Sequence, residues 1–138
     1  MIQRVAAIHD LSGFGGGSLS AVIPILSALG IQVCSLPTAI LSTHTGGFAN
    51  FHFRDLTSDM RYIIDHWRQL SLSFAGIYSG FLGSPEQIDI VSDFIKTFRT
   101  DSTLVVVDPV LGVGFEHNAI VLAGCLKHDP GHAEIDGP

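Results

Sequence analysis

Cysteine is scarce in this chain: two residues in 138, Cys34 and Cys125. Two thiols cannot build the multi-bridge framework of a small secreted domain, and they suit a reducing compartment. Charge is also sparse, at 14% of residues, and it leans acidic: 7 Lys+Arg against 13 Asp+Glu, a formal net charge of −6. The basic residues Arg4, Arg54, Arg61, Arg68, Lys96, Arg99 and Lys127 form no run or stripe. No nucleic-acid partner is therefore expected. No apolar run approaches the ~18 residues of a membrane span, and the N-terminus lacks the basic-then-apolar layout of a secretion signal. The expectation is a cytoplasmic chain with no membrane partner. No Lys-Ser or Lys-Thr pair follows a glycine loop, which excludes a P-loop.

What the chain has in quantity is apolar residues, 46% of the total. That is ample for a buried core and rules out disorder as the main state. The length suits one domain, and neither internal repeats nor a long linker divides it.

The run Arg4 to His9 reads as a first strand, ended by the glycine-rich stretch Gly13-Phe14-Gly15-Gly16-Gly17. Ser18 then caps a helix with Leu19, Val22, Ile23, Leu26 and Leu29 on one stripe, and Gly30 stands where a helix C-terminal glycine belongs. Ile31 to Leu36 is β-prone, with Pro37 near its end. Thr43-His44-Thr45-Gly46-Gly47 reads as a polar loop. A second helix starts at Thr57 or Ser58 and carries Met60, Ile63, Ile64, Trp67 and Leu70 on one face. Phe74 to Tyr78 is a third strand, followed by Gly80-Phe81-Leu82-Gly83. Ser84-Pro85-Glu86-Gln87 carries two helix-start signals, proline at the first helical position and a capping-box glutamine. The stripe that follows is Ile88, Val91, Phe94 or Ile95, and Phe98. Leu104 to Val107 is the fourth strand, closing on Asp108-Pro109.

Strands alternating with helices predict a parallel sheet with crossover helices, and strands that are continuous apolar runs predict helices on both faces. Ligands gather at the carboxyl ends of such strands. Those ends carry His9-Asp10, Thr43-His44-Thr45-Gly46, Ser79-Gly80-Phe81 and Asp108. Residues 113–138 hold no periodic helix and read as a poorly ordered tail.

The motifs divide unevenly between chemistry and architecture. Gly13-x-Gly15-x-x-Ser18 misses the dinucleotide fingerprint, lacking its third glycine and the acidic residue about twenty positions on. These glycines either make a tight turn or let backbone approach a bound ring or phosphate. Cys125-x-x-His128-x-x-x-His132 has metal-like spacing, but Pro130-Gly131 breaks any helix that would align it, so no zinc site is assigned. His9, Asp10 and Ser12 form no triad, because sequence neighbours on an extended chain point apart. His44 is either a loop-capping residue or a ligand contact. Asp108, fixed by Pro109 at a strand end, is either a turn former or a group that orients magnesium or a phosphate-bound water.

Val5-Ala6-Ala7-Ile8-His9-Asp10-Leu11-Ser12, Leu36-Pro37-Thr38-Ala39, Leu41-Ser42-Thr43-His44-Thr45-Gly46-Gly47-Phe48 and Val106-Val107-Asp108-Pro109-Val110-Leu111-Gly112 resemble the bacterial pyridoxal/pyridoxamine kinases of the ribokinase-like superfamily. The resemblance covers the N-terminal half of that family, residues 1–112 here. It implies an α/β fold: a three-layer ribokinase-like parallel sheet with crossover helices, cut after about four strands. It implies transfer of the ATP γ-phosphoryl group, with magnesium, to the 5′-hydroxymethyl of a pyridoxal-type small molecule, and a family homodimer. By position it places Asp10, His44, Thr45 and Phe81 at the substrate and Asp108 near the nucleotide phosphates and metal, with no other metal ligand. Hydroxymethylpyrimidine kinases of thiamine synthesis share the second motif and are the alternative, as is a non-catalytic module that binds pyridoxal or a partner chain. Two departures stand out. The family's next aspartate is Val113 here, and its catalytic Gly-x-Gly-Asp occurs nowhere in the sequence. No catalytic residue is therefore assigned, and the chain as given is expected to be truncated and catalytically deficient.

Overall fold

The computed structural model describes residues 1–108. The expectations for Val113, for the Cys125-His128-His132 spacing and for a poorly ordered tail lie outside the described residues. Within them the chain runs β1 (Arg4–Phe14), α1 (Leu19–Ala28), β2 (Gln32–Thr43), β3 (Phe53–Asp55), α2 (Thr57–Gln69), β4 (Gly76–Ser79), α3 (Pro85–Phe98) and β5 (Leu104–Val107). The five strands form one sheet in the order β3-β2-β1-β4-β5. β1, β2, β4 and β5 pair in parallel, as expected, and β3 joins the edge antiparallel to β2. The sheet is thus mixed. β3 escapes sequence reading because its three residues, Phe53-Arg54-Asp55, are all exposed and show no alternation. A very short, charged strand is what a protected sheet edge requires.

The helices lie on both faces. Ala6, Ile8, Leu36 and Ile77 pack with Met60, Ile64, Ile88, Val91, Phe94 and Phe98 of α2 and α3, while Ala7 packs with Leu19 and Val22 of α1. Ala6, Ala7 and Ile8 are consecutive yet fully buried, because neighbouring residues of a strand serve opposite faces. α1 packs against Tyr78 of β4 but leaves much of β5 uncovered. On its side Leu104 and Val106 stay exposed and, with Val5, Leu26, Ile31 and Tyr78, line an apolar depression of about 520 Å³.

Two strands outrun their sequence signals. β1 continues past the expected end at His9 to Phe14, because Gly13 allows β2 to come close: a Cβ there would stand 3.1 Å from the Ser42 carbonyl oxygen. The chain turns only at Gly15 and Gly16, where φ reaches 101° and 55°. β2 continues through Pro37 to Thr43. The pairing shifts from His9↔Pro37 to Leu11↔Ile40, so the irregularity absorbs a residue that cannot donate to the ladder. Helix ends follow local chemistry more closely. Gly30 closes α1 with φ 77°, its N–H bonding Ser27 and that of Ile31 bonding Leu26, a double closure that satisfies two terminal carbonyls. No helix among the described residues is long and apolar enough to cross a membrane.

Candidate functional site

Four parallel strands pointing one way bring their carboxyl ends to one edge of the sheet. β1, β4 and β5 are held in step there: the Gly80 N–H donates to the Ile8 carbonyl at 2.9 Å, and that of Asp108 to the Ser79 carbonyl at 2.8 Å. Between these ends and one side of α1 lies a crevice of about 340 Å³. His9, Ser18, Tyr78, Phe81 and Asp108 supply its polar and aromatic wall, and Val22, Ile25 and Leu26 its aliphatic one. That volume and mixture suit a small molecule with a flat apolar body and a few polar groups.

Asp10 is buried behind this wall. Ser18 Oγ donates to its Oδ1 at 2.5 Å and Ser12 Oγ to its Oδ2 at 3.2 Å, while Ser20 Oγ donates to the Ser12 carbonyl. These bonds tie β1 to the start of α1. Ser18 is the residue before the helix, as expected, but its hydroxyl serves Asp10 and makes no cap bond. The carboxylate instead sits near the positive end of the helix, where a negative charge is favoured.

The structure separates the sequence-predicted site residues into two groups. Phe81 and Asp108 line the crevice, and Asp10 reaches it through Ser18. His44 and Thr45 follow β2, and neither lines that crevice. His44 Nδ1 accepts from the Gly46 N–H at 3.0 Å, and its ring meets Phe48 edge-on at 5.0 Å. A Cβ at Gly15 would fall 2.1 Å from the His44 ring, so that glycine gives room for the histidine as well as a positive φ. Thr45 is exposed in the bend beside it.

Sequence reading placed His9 at a ligand-bearing strand end but assigned it no role; it is 4% exposed. Its ring meets Tyr78 edge-on at 4.4 Å, and its Nε2 has no hydrogen-bond partner among the described residues. Burial lowers its pKa below the ordinary 6.5, against the opposing pull of the Asp10 and Asp108 charges. A base of depressed folded pKa binds fewer protons folded than unfolded, so its stabilising contribution is present above 6.5 and is lost as pH falls through the folded value. Denaturant midpoints should therefore fall on acidification from neutrality, and His9→Gln should flatten that dependence. Identical pH profiles for the two proteins would contradict it.

No group of three or more metal-ligating side chains exists among the described residues. Asp108, exposed at the crevice mouth, has the donor chemistry to give one carboxylate oxygen to magnesium. Magnesium commonly takes one or two carboxylates and completes its shell with water and phosphate oxygens.

No protein-family model matches the chain. Solved structures do. A Bacteroides thetaiotaomicron protein assigned as a phosphomethylpyrimidine kinase is 50% identical over 93% of this chain and 46% of its own, with a TM-score of 0.79; that crystal form was obtained with pyridoxal. Its rhombohedral form gives a TM-score of 0.82. Pyridoxal kinase from Lactobacillus plantarum is 31% identical over 91% of this chain and 47% of its own, with a TM-score of 0.80. The chain shares the ribokinase-like fold of these proteins over about half of their length. Pyridoxal kinase from Leishmania donovani, solved with ADP and pyridoxamine, shares the fold at a TM-score of 0.80 with 18% identity, covering 91% of this chain and 48% of its own. This ribokinase-like chain thus spans about half the length of the kinases it matches.

Proposed function

We propose that this chain forms the substrate-binding part of a vitamin B6 kinase, which transfers the ATP γ-phosphoryl group to the 5′-hydroxymethyl of pyridoxal or a related vitamer. The observation that carries this reading is the half-identical Bacteroides protein crystallised with pyridoxal. The crevice supports it. A flat pyridine suits a slot with Phe81 and Tyr78 on one side and aliphatic α1 residues on the other, and a stacked or edge-on aromatic pair adds about 0.5–1.5 kcal/mol beyond its buried area. In this reading Asp10, through Ser18, orients the ring's polar edge. His44 and Thr45 close over the substrate from the β2 side. Asp108 contributes a carboxylate to magnesium, whose chemistry is to neutralise charge on the phosphates.

Phosphorylation of a hydroxymethylpyrimidine is the second reading, favoured by the assignment of that same Bacteroides protein. Both ligands are flat heterocycles with a hydroxymethyl group, so the crevice alone does not separate them.

Titration followed by backbone amide signals tests the proposal. Pyridoxine should shift Asp10, Thr45 and Phe81 with a dissociation constant of order millimolar, equivalent to about −4 kcal/mol. Thr45→Ala should weaken it. Pyridoxine avoids the Schiff bases that pyridoxal forms with Lys96 or Lys127. Tighter binding of hydroxymethylpyrimidine would favour the second reading, and no shift with either ligand would sink both.

A further inference from the structure

Gln87 is completely buried, and the sequence signal explains only part of what it does. It stands two residues after Pro85, where a capping-box side chain would turn back to the N–H of Ser84. The Ser84 side chain does accept from the Gln87 N–H, at 3.3 Å. The Gln87 side chain goes elsewhere. Its Oε1 accepts from the Gly83 N–H at 2.8 Å. Its Nε2 donates to the Thr38 carbonyl at 2.9 Å and lies 3.1 Å from Thr57 Oγ1 and 3.3 Å from Asp55 Oδ2. Thr38, itself fully buried in β2, uses its hydroxyl to donate to the Phe81 carbonyl at 3.2 Å.

These bonds bracket one short turn. The Phe81 carbonyl is held from β2 by Thr38, and the Gly83 N–H from α3 by Gln87. Gln87 and Thr38 are joined to each other. Asp55 Oδ1 also accepts from the Thr57 N–H, so the end of β3 and the start of α2 belong to the same network. Helix initiation needs only the Ser84 bond and Pro85. The amide group of Gln87 is thus directed at the turn that presents Phe81 to the crevice.

We propose that Gln87 is a positioning residue for the ligand crevice, fixing residues 80–83 against β2 so that the Phe81 ring keeps its place in the wall. Its relevance to substrate rests on the vitamin-kinase reading above, but its effect on the turn does not. Buried amides are effective in this role because they donate and accept at once, and an unmatched donor or acceptor left behind is costly. Gln87→Leu keeps the volume and removes both functions. Gln87→Glu keeps the acceptor for Gly83 but loses the donor for Thr38 and sets a second carboxylate against Asp55.

Amide hydrogen exchange on the full chain, combined with pyridoxine titration, tests this. In Gln87→Leu the Gly83 amide should exchange about tenfold faster or more, while Ile77 in β4 and Val91 in α3 keep their protection, because the opening is local. Gln87→Glu should retain more Gly83 protection than Gln87→Leu. Both variants should bind pyridoxine several-fold more weakly than the wild type. Equal loss at Gly83, Ile77 and Val91 in both variants would reduce Gln87 to a fold-stabilising residue, and unchanged Gly83 exchange would overturn the proposal outright. If the wild type binds no pyridoxine, the vitamin-kinase reading fails, while the exchange pattern still decides whether Gln87 holds the turn.

Discussion

Phe94→Ala should lose about 3–5 kcal/mol of stability. Phe94 is fully buried at the centre of an aromatic cluster, with ring centroids 4.5 Å from Phe98, 5.8 Å from Phe74 and 6.2 Å from Trp67. Removing a buried phenyl ring loses its transfer free energy and leaves a cavity that rigid neighbours fill poorly, a cost of about 3–5 kcal/mol. Domain stabilities are about 5–15 kcal/mol in total, so this one ring accounts for a large share. Urea unfolding followed by Trp67 fluorescence would measure the loss, and Phe94→Leu should retain a clear folded baseline. A shift worth less than about 1 kcal/mol for the alanine variant would mean that the cluster is loosely packed. The packing of α3 on the sheet, and with it the place of Gln87, would then need another source.

Gly80→Ala should damage the crevice directly. A Cβ at this position would lie 2.2 Å from His9 Nδ1 and 2.5 Å from its Cε1. Neither party gives way easily. His9 is buried against Tyr78, and the Gly80 N–H is bonded to the Ile8 carbonyl in the centre of the sheet. Overpacking of this kind costs about 1–3 kcal/mol. It also displaces His9 within the wall that Phe81 and Asp108 share, so any pyridoxine-induced shift at Phe81 should shrink with it. Gly17→Ala is the control, since none of the described residues lies within 4 Å of its Cβ position, and it should change stability by less than about 0.5 kcal/mol. The double variant His9→Ala with Gly80→Ala should recover part of the loss, because the clash is pairwise. If Gly80→Ala alone matches Gly17→Ala, the His9 ring has room to move and the crevice wall is softer than its geometry indicates.

Helix positions were legible wherever one residue's chemistry sufficed. Pro85 and Ser84 start α3, Gly30 ends α1, and the stripe Met60, Ile63, Ile64, Trp67 turns α2 toward the sheet. Strand lengths were not legible at β1 and β2, because Gly13 and Pro37 carry the same local signals inside a ladder as in a turn. The site divided in a similar way. The ends of β1, β2, β4 and β5 were expected to form the ligand edge from the alternation of strands and helices and the polar residues there, yet the sequence could not show that His44 packs beside Gly15 and Phe48 while Phe81 shares a crevice with His9.

The sequence by itself determined an α/β chain with helices on both faces of a largely parallel sheet. Those properties follow from periodicity and from residues that act on their immediate neighbours. Only the tertiary structure decided that β3 caps the sheet antiparallel to β2, that Asp10 spends its carboxylate on Ser12 and Ser18, and that Gln87 reaches Thr38 across 49 positions of sequence. A buried polar group takes whichever partner the fold brings within about 3 Å, and that choice is made by packing between distant segments rather than by the residues on either side.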